Sequence, residues 1–364
     1  MAREIRRIAL STGGGDAPGL NAVIRSAVLA ALTRGWEVFG IRKGYAGLLG
    51  EDSIVQLDRD SVRGISHIGG TILGTTNRGN PFEWPTRDAS GNTTATDRSD
   101  EVIEAFQRYQ LDAMIAIGGD GSLAIAEKLW RKGMPVVGVP KTIDNDLLAT
   151  EVTFGFQTAV QTATEAIDKL HSTAESHERV FVLEVMGRST GWIALESGMA
   201  GTADVILIPE IPYDFERVCE KIEDRYRTGR RFAIVVVAEG AAPITGGASF
   251  VETNVVGKAD RYGGLADRLA HQIAERTGHE ARAMVLGHLQ RGGIPVSFDR
   301  LIAMRFGAAA VRCVERGQFG TMVALDPPDV KAVPLEAAIS KIKRVPLDSD
   351  LVQTARDTGI SFGD

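Results

Sequence analysis

Short runs of Ile, Val and Ala alternate along this chain with longer amphipathic stretches, and that rhythm limits the fold more than any other feature. Apolar runs lie at 5–10, 37–41, 113–117 and 136–139, with helical periodicity at 19–34 and 122–131 between them. Strands that are apolar without alternation need cover on both faces, as in parallel sheets wound by crossover helices. The rhythm restarts, with helical stretches at 157–175, 190–199 and 214–226 and apolar runs at 179–185, 205–208 and 232–237. The expected class is α/β: two doubly wound Rossmann-like α/β domains with the active site in the cleft between them, because ligands of such sheets bind at strand carboxyl ends. No repeat recurs at a fixed period, which excludes a solenoid.

Two stretches break the pattern. Residues 77–100 are rich in Gly, Asn, Thr, Asp and Pro, so they are expected as a surface excursion at the site mouth. Residues 243–264 are similar and read as a connecting loop. After Pro327 a helical pattern at 335–344 is expected to pack on the body, and no chemistry is assigned to it.

Size and charge remove several function classes. At 364 residues the chain is long enough for two or three domains and a large core. Its net charge of -6 is spread without a run of like charge, which argues against nucleic acid or a membrane surface as partner. The apolar stretch at 233–238 is far too short to cross a bilayer, and the N-terminus is charged where a signal peptide needs an apolar segment. A cytoplasmic location is expected. Cys219 and Cys313 each sit in a helical pattern beside charged residues and are expected as free thiols.

The chemistry-bearing residues follow the apolar runs. Thr12-Gly13-Gly14-Gly15-Asp16-Ala17-Pro18-Gly19 lies between the opening strand and a helix, where N–H donors and a positive helix end can meet a phosphate. It is neither a G-x-G-x-x-G nor a Walker A loop, and alone it is equally a tight structural turn. A second turn, Gly118-Gly119-Asp120-Gly121-Ser122, repeats the arrangement and adds a carboxylate that could hold Mg²⁺. A helix N-cap is the competing role for Asp120. In Pro140-Lys141-Thr142-Ile143-Asp144-Asn145-Asp146 the two aspartates lie two apart, so an extended segment would project them to one side. Such a pair beside a metal and a lysine supplies a base for an attacking hydroxyl, and the whole set reads as phosphoryl transfer. Solvated loop carboxylates are the plain alternative.

Basic residues gather downstream at strand ends: Arg179, Arg188, Arg282, His288 and Arg291. Arginine forks match phosphate oxygens, which predicts a second phosphorylated ligand, although any one of them could be a surface ion pair. Glu239 ends an apolar run and could accept bonds from sugar hydroxyls, or be an exposed strand-end carboxylate.

Six ordered blocks resemble the phosphofructokinase family over about residues 8–328. They are Gly13-Gly14-Gly15-Asp16-Ala17-Pro18-Gly19-Leu20-Asn21, Gly69-Gly70-Thr71-Ile72-Leu73-Gly74, the Gly118 and Pro140 blocks above, Glu184-Val185-Met186-Gly187-Arg188, and Gly287-His288-Leu289-Gln290-Arg291-Gly292-Gly293. The resemblance implies a glycolytic kinase that moves the γ-phosphoryl group of ATP to the 1-hydroxyl of fructose 6-phosphate. It implies Asp144 as general base, Asp120 as the Mg²⁺ ligand, and Thr142 and Arg188 as stabilisers of the transferring group. Gly14, Arg78, Gly79, Gly119, Asp120, Gly121 and Ser122 would contact the donor. Thr142, Ile143, Asp144, Met186, Gly187, Arg188, Glu239, His288, Leu289, Gln290 and Arg291 would contact the sugar phosphate. Arg179 and Arg282 would come from a neighbouring subunit, hence a homo-oligomer, a tetramer or a dimer. The implied division is 1–155 plus about 289–342 as donor domain, 156–288 as sugar-phosphate domain and 343–364 as a C-terminal tail.

Donor choice turns on two positions. Gly121 resembles ATP users, since an Asp there would fill and charge the space needed by the α-phosphate. Lys141 resembles the lysine of pyrophosphate users, although some ATP-using members carry the same pair. ATP is expected, with a pyrophosphate-dependent fructose-6-phosphate 1-phosphotransferase as the alternative. The run Thr75-Thr76-Asn77-Arg78-Gly79 is one residue out of step with the bacterial pattern. Of the basic effector-site residues of regulated bacterial members, Arg25 and Arg230 remain, Leu29 and Thr228 replace others, and Asp204 stands for a glutamate, so control by ADP or phosphoenolpyruvate is not expected. A dinucleotide-dependent oxidoreductase suits the opening turn but lacks G-x-G-x-x-G, and a non-catalytic nucleotide sensor would not need both a base and an acceptor site.

Overall fold

The computed structural model describes residues 4–50, 54–76, 79–87, 93–245, 250–252 and 261–364. In chain order, β1 (Arg7–Thr12), α1 (Leu20–Thr33), β2 (Glu37–Ile41) and β3 (Ile54–Leu57) come first. A hairpin of β4 (Trp84–Arg87) and β5 (Thr93–Thr96) then leads to α2 (Ser99–Arg108), β6 (Ala113–Gly118), α3 (Asp120–Arg131) and β7 (Val136–Pro140). Next are α4 (Phe156–His177), β8 (Val180–Val185), α5 (Trp192–Ala200), β9 (Val205–Leu207), α6 (Phe215–Arg227) and β10 (Ala233–Ala238). The short pair β11 (Phe250–Glu252) and β12 (Arg261–Tyr262) precedes α7 (Leu265–Thr277) and β13 (Ala281–Val285). Last are α8 (Ser297–Glu315), β14 (Thr321–Asp326), β15 (Asp329–Pro334), α9 (Leu335–Ile339) and α10 (Asp350–Asp357).

The chain divides into two compact units. The first comprises Met1–Ile143, Leu147–Gln157 and Arg291–Lys341, and the second Asp144–Asp146, Thr158–Gln290 and Ile342–Asp364. The last segment, set apart as a tail on sequence, thus groups with the second unit. It is fastened there because Ser361 pairs with Val205 and buries Phe362 behind it.

The first unit holds a seven-stranded sheet in the order β15-β14-β7-β6-β1-β2-β3. Its central strands pair in parallel, and β3 and β15 close the edges antiparallel. Every residue of β6 and β7 is buried, as their uninterrupted apolar character requires. Helix α1 lies close to α8, where a Cβ on Gly307 would come within 2.5 Å of the Val23 carbonyl oxygen. The second unit holds a parallel four-stranded sheet in the order β13-β8-β10-β9. Its core joins Val180, Val182, Val235 and Val237 to Leu265, Leu269 and Ile273 of α7.

One local expectation needs correction, and two gain detail. The helical pattern at 335–344 stops at Ile339, and the chain runs without regular structure to α10. The excursion at 77–100 contains a 3-10 turn (Pro81–Glu83) and the β4–β5 hairpin among its described residues. The stretch at 243–264 contains the β11–β12 pair rather than loop alone. The two cysteines are free and buried, and burial pushes the Cys219 thiol up to about 11, well away from reactivity.

Candidate active site

In the first unit, β1, β6 and β7 end level. Thr12 lies beside Ile117 and Gly118 beside Pro140, so the turns that follow emerge at one edge. That edge is a topological switch point, because the chain leaves β1 toward β2 and later fills the opposite side with β6. The turns are stitched together: Gly13 N–H donates to the Ile117 carbonyl at 3.0 Å, and Lys141 N–H to the Gly118 carbonyl at 2.9 Å. Ser122 explains two glycines. A Cβ on Gly13 would sit 2.6 Å from its Oγ, and one on Gly118 would sit 2.3 Å from its Cβ.

Side chains fix the first turn's path. The carbonyls of Gly14, Gly15 and Asp16 accept from Thr75 Oγ1, Lys141 Nζ and Arg291 Nη1 respectively. Lys141 is 3% exposed, so its ammonium is held at this turn and does not reach out as a flexible side chain. Asn21 clamps another quoted block, donating to the Ile68 carbonyl at 3.0 Å and accepting from Ile72 N–H at 2.9 Å.

In the second turn Gly119 occupies the cap position and Asp120 is the first residue of α3, which removes the N-cap role considered for Asp120. Its side chain is exposed and takes part in no hydrogen bond or ion pair among the described residues. A carboxylate there is favoured by the helix dipole and stays available to a divalent cation. No group of three or more His, Cys, Asp or Glu able to hold a metal occurs among the described residues. A Cβ on Gly121 would meet no atom within 4 Å, so the space expected for an α-phosphate is open. Gly79 lies near Thr76, Ala46 and Trp84, while Arg78 lies outside the described residues.

The second unit repeats the logic with side chains. Val185 lies beside Ala238 and Glu184 beside Val285, so Met186, Gly187, Arg188, Glu239 and His288 all follow level strand ends. Gly240 N–H donates to the Gly187 carbonyl at 3.0 Å, and a Cβ on Gly240 would collide with the Arg188 carbonyl at 1.9 Å. Arg188, His288 and Leu289 are exposed. Gln290 is not: its amide accepts from Met186 N–H at 3.3 Å and donates to the Gly287 carbonyl at 3.1 Å, which holds the turn Gly287–Arg291 to β8. Arg179 and Arg282 both pair with Glu280, whose carboxyl is held below the usual range chiefly by the Arg179 hydrogen bond.

The 141–146 segment departs from the extended form assumed for it. Asn145 has φ 50°, in the left-handed region, so the alternation that would aim Asp144 and Asp146 to one side is broken between them. Thr142 and Ile143 are buried, with the Thr142 carbonyl accepting from Thr153 Oγ1 at 2.7 Å. Thr190 Oγ1 donates to the Asp144 carbonyl at 3.1 Å. Asp204 is engaged internally, accepting from Ile234 N–H and pairing with Arg225, both at 2.9 Å, and burial raises its pKa.

Against known proteins, residues 7–314 match the model of the family described as Phosphofructokinase. The chain belongs to the phosphofructokinase family. It is 49% identical to "ATP-dependent 6-phosphofructokinase 2" of Clostridium perfringens, covering 100% of both chains. It is 51% identical to "ATP-dependent 6-phosphofructokinase" of Chloroflexus aurantiacus, covering 100% of this chain and 99% of that one. The fold matches the crystal structure of Pichia pastoris phosphofructokinase in the T-state with TM-score 0.78 and 29% identity, over 98% of this chain and 37% of that longer chain. The oxidoreductase and sensor readings fall with this membership.

Some residues that build this phosphofructokinase fold's strand-end edges had no structural role assigned from sequence. Tyr45 is buried, with its pKa raised by burial, and donates to the Ser122 carbonyl at 2.9 Å. Glu184 accepts from Ala266 N–H at 2.9 Å and so ties the start of α7 to β8. Both partners lie about 80 residues away in sequence, beyond the reach of any local pattern.

Proposed function

We infer that this chain is an ATP-dependent 6-phosphofructokinase, a phosphotransferase that moves the γ-phosphoryl group of ATP to the 1-hydroxyl of fructose 6-phosphate, giving fructose 1,6-bisphosphate and ADP. The observation that carries the reading is the level ending of β1, β6 and β7, which sets both glycine turns on one edge with Asp120 exposed and the space at Gly121 open. On this reading Gly14, Gly79, Gly119, Gly121 and Ser122 hold the donor, joined by Arg78. Asp120 holds Mg²⁺ when it is bound, and the cation neutralises charge on the donor phosphates.

Asp144 takes the proton from the attacking hydroxyl, and Thr142 and Arg188 stabilise charge on the transferring group. Met186, Gly187, Glu239, His288 and Arg291 hold the sugar phosphate with the backbone of Ile143, Leu289 and Gln290, while Arg179 and Arg282 act on a neighbouring subunit. The enzyme is therefore a homo-oligomer, a tetramer or a dimer. Uncovered apolar side chains support association: Phe298, Leu301 and Met304 share one face of α8, and Met284, Val285 and Leu289 stand at the strand end of β13. The cytoplasm is the proposed location, in keeping with two free buried thiols, and no helix among the described residues is long and apolar enough to cross a membrane.

Donor choice is tested with one purified sample supplied with fructose 6-phosphate, Mg²⁺ and either ATP or pyrophosphate. Turnover is expected with ATP alone. Gly121→Asp should cut kcat/KM for ATP about 100-fold through charge, without a change in melting temperature, since a Cβ there meets no neighbouring atom. Turnover of the parent with pyrophosphate would instead make Lys141 decisive.

A further inference from the structure

We propose that the chain's last segment works as a brace for the Asp144–Asp146 loop, with Lys343 and Trp192 as its positioning residues. The proposal rests on the reading of Asp144 as general base. The loop needs support because Asn145 takes a left-handed conformation, which Asn tolerates but does not enforce, and because the chain changes unit at both its ends. Within the second unit, Lys343 N–H donates to the Asp146 carbonyl at 2.9 Å, and Lys343 Nζ reaches Asn145 Oδ1 at 3.5 Å.

Lys343 is gripped in turn. Its carbonyl accepts from Trp192 Nε1 at 2.9 Å, and its ammonium lies 5.3 Å from the centroid of the Trp192 ring, within cation–π range. Two residues on, Val345 N–H donates to Glu210 at 3.0 Å, and the same carboxylate accepts from Gly191 N–H at the start of α5. The far end is tied as well, with Ile206 N–H donating to the Ser361 carbonyl at 2.9 Å and Ser361 N–H to the Asp204 carbonyl at 3.1 Å. The strap therefore joins the loop to α5 and to the edge of the four-stranded sheet. Trp192 opens α5, two residues after Thr190, the residue that donates to the Asp144 carbonyl.

A base displaced by about 1 Å loses on the order of 100-fold in rate while the substrates still bind. Lys343→Met removes the ammonium but keeps the stem, and Trp192→Phe removes the ring N–H but keeps an aromatic body. Each should lower kcat about tenfold, and the double variant further, with KM for ATP and fructose 6-phosphate within about threefold of the parent. Lys343→Arg, which keeps the charge over the ring, should restore most of the rate. Hydrogen–deuterium exchange gives a readout independent of turnover: peptides covering 141–150 should exchange faster in both single variants, with the rest of the second unit unchanged. Normal kcat and normal exchange in either folded variant would overturn the brace. Asp144→Asn is run alongside to separate the two ideas. If it keeps turnover, the base assignment has failed, and exchange alone then decides the brace; if it is inactive while the strap variants match the parent, the brace has failed.

Discussion

On the proposed reading, the donor edge of the first unit and the acceptor edge of the second are made of different material. The donor edge is backbone: two glycine turns whose carbonyls and neighbours are fixed by Ser122, Thr75, Lys141 and Tyr45 inside one unit. The acceptor edge is side chain, with Arg188 and His288 standing exposed after the ends of β8 and β13. A backbone seat is ordered before any ligand arrives and, at Gly13 and Gly118, has no room for an added carbon. A side-chain seat tolerates added atoms but loses affinity when one is removed, and its long arginines must be ordered on binding.

The largest effect belongs to the loop where the two units meet in sequence. Asp144→Asn should lower kcat on the order of 1,000-fold and leave both KM values within a few-fold, because a general base acts in the transition state more than in binding. Steady-state kinetics would decide it, and near-normal turnover would remove Asp144 from the mechanism. Next comes an added carbon on the donor edge. Gly118→Ala places a Cβ 2.3 Å from that of Ser122, and we expect kcat/KM for ATP to fall about 100-fold while KM for fructose 6-phosphate holds. Removing an acceptor arginine that the proposed reading gives to a neighbouring subunit should do the converse. Arg282→Ala should raise KM for fructose 6-phosphate about tenfold and spare KM for ATP. If instead the alanine at Gly118 is harmless, or Arg282→Ala weakens ATP, the contrast between the edges is wrong.

The smallest effect is on stability. Burial raises the Glu210 carboxyl above its ordinary value, so its contribution is full below about 4.5 and is lost as pH rises through the raised value in the folded protein. Glu210→Gln should flatten that part of the curve of melting temperature against pH, and an unchanged slope would assign it to other groups.

The strands were legible in the sequence because burial on both faces leaves a local trace, an apolar run such as 233–238. The glycine turns were legible for a similar reason: a missing side chain at a strand end is itself a local sign. The rest depends on long-range partners. Tyr45 and Lys343 read as ordinary residues because their partners lie about 77 and 151 residues away. Gln290 has the sequence context of a ligand contact, yet its amide serves the backbone of its own unit. Asn145 breaks the spacing argument for the aspartates through a φ that residue identity permits but does not dictate. Arg291, expected on the sugar phosphate, also donates to the Asp16 carbonyl at 3.0 Å, so one guanidinium already serves the first turn.

The chain changes unit after Ile143, Asp146, Gln157, Gln290 and Lys341. No single cut in the gene leaves an intact first unit on one fragment and an intact second unit on the other, since the first unit ends at Lys341 and the second begins at Asp144. On the proposed reading, donor handling and acceptor handling therefore cannot be inherited separately by exchanging halves of the gene. Recombination that swaps one for the other must cross over several times, and three of the five junctions lie within fifteen residues of one another, beside Lys141 and Asp144.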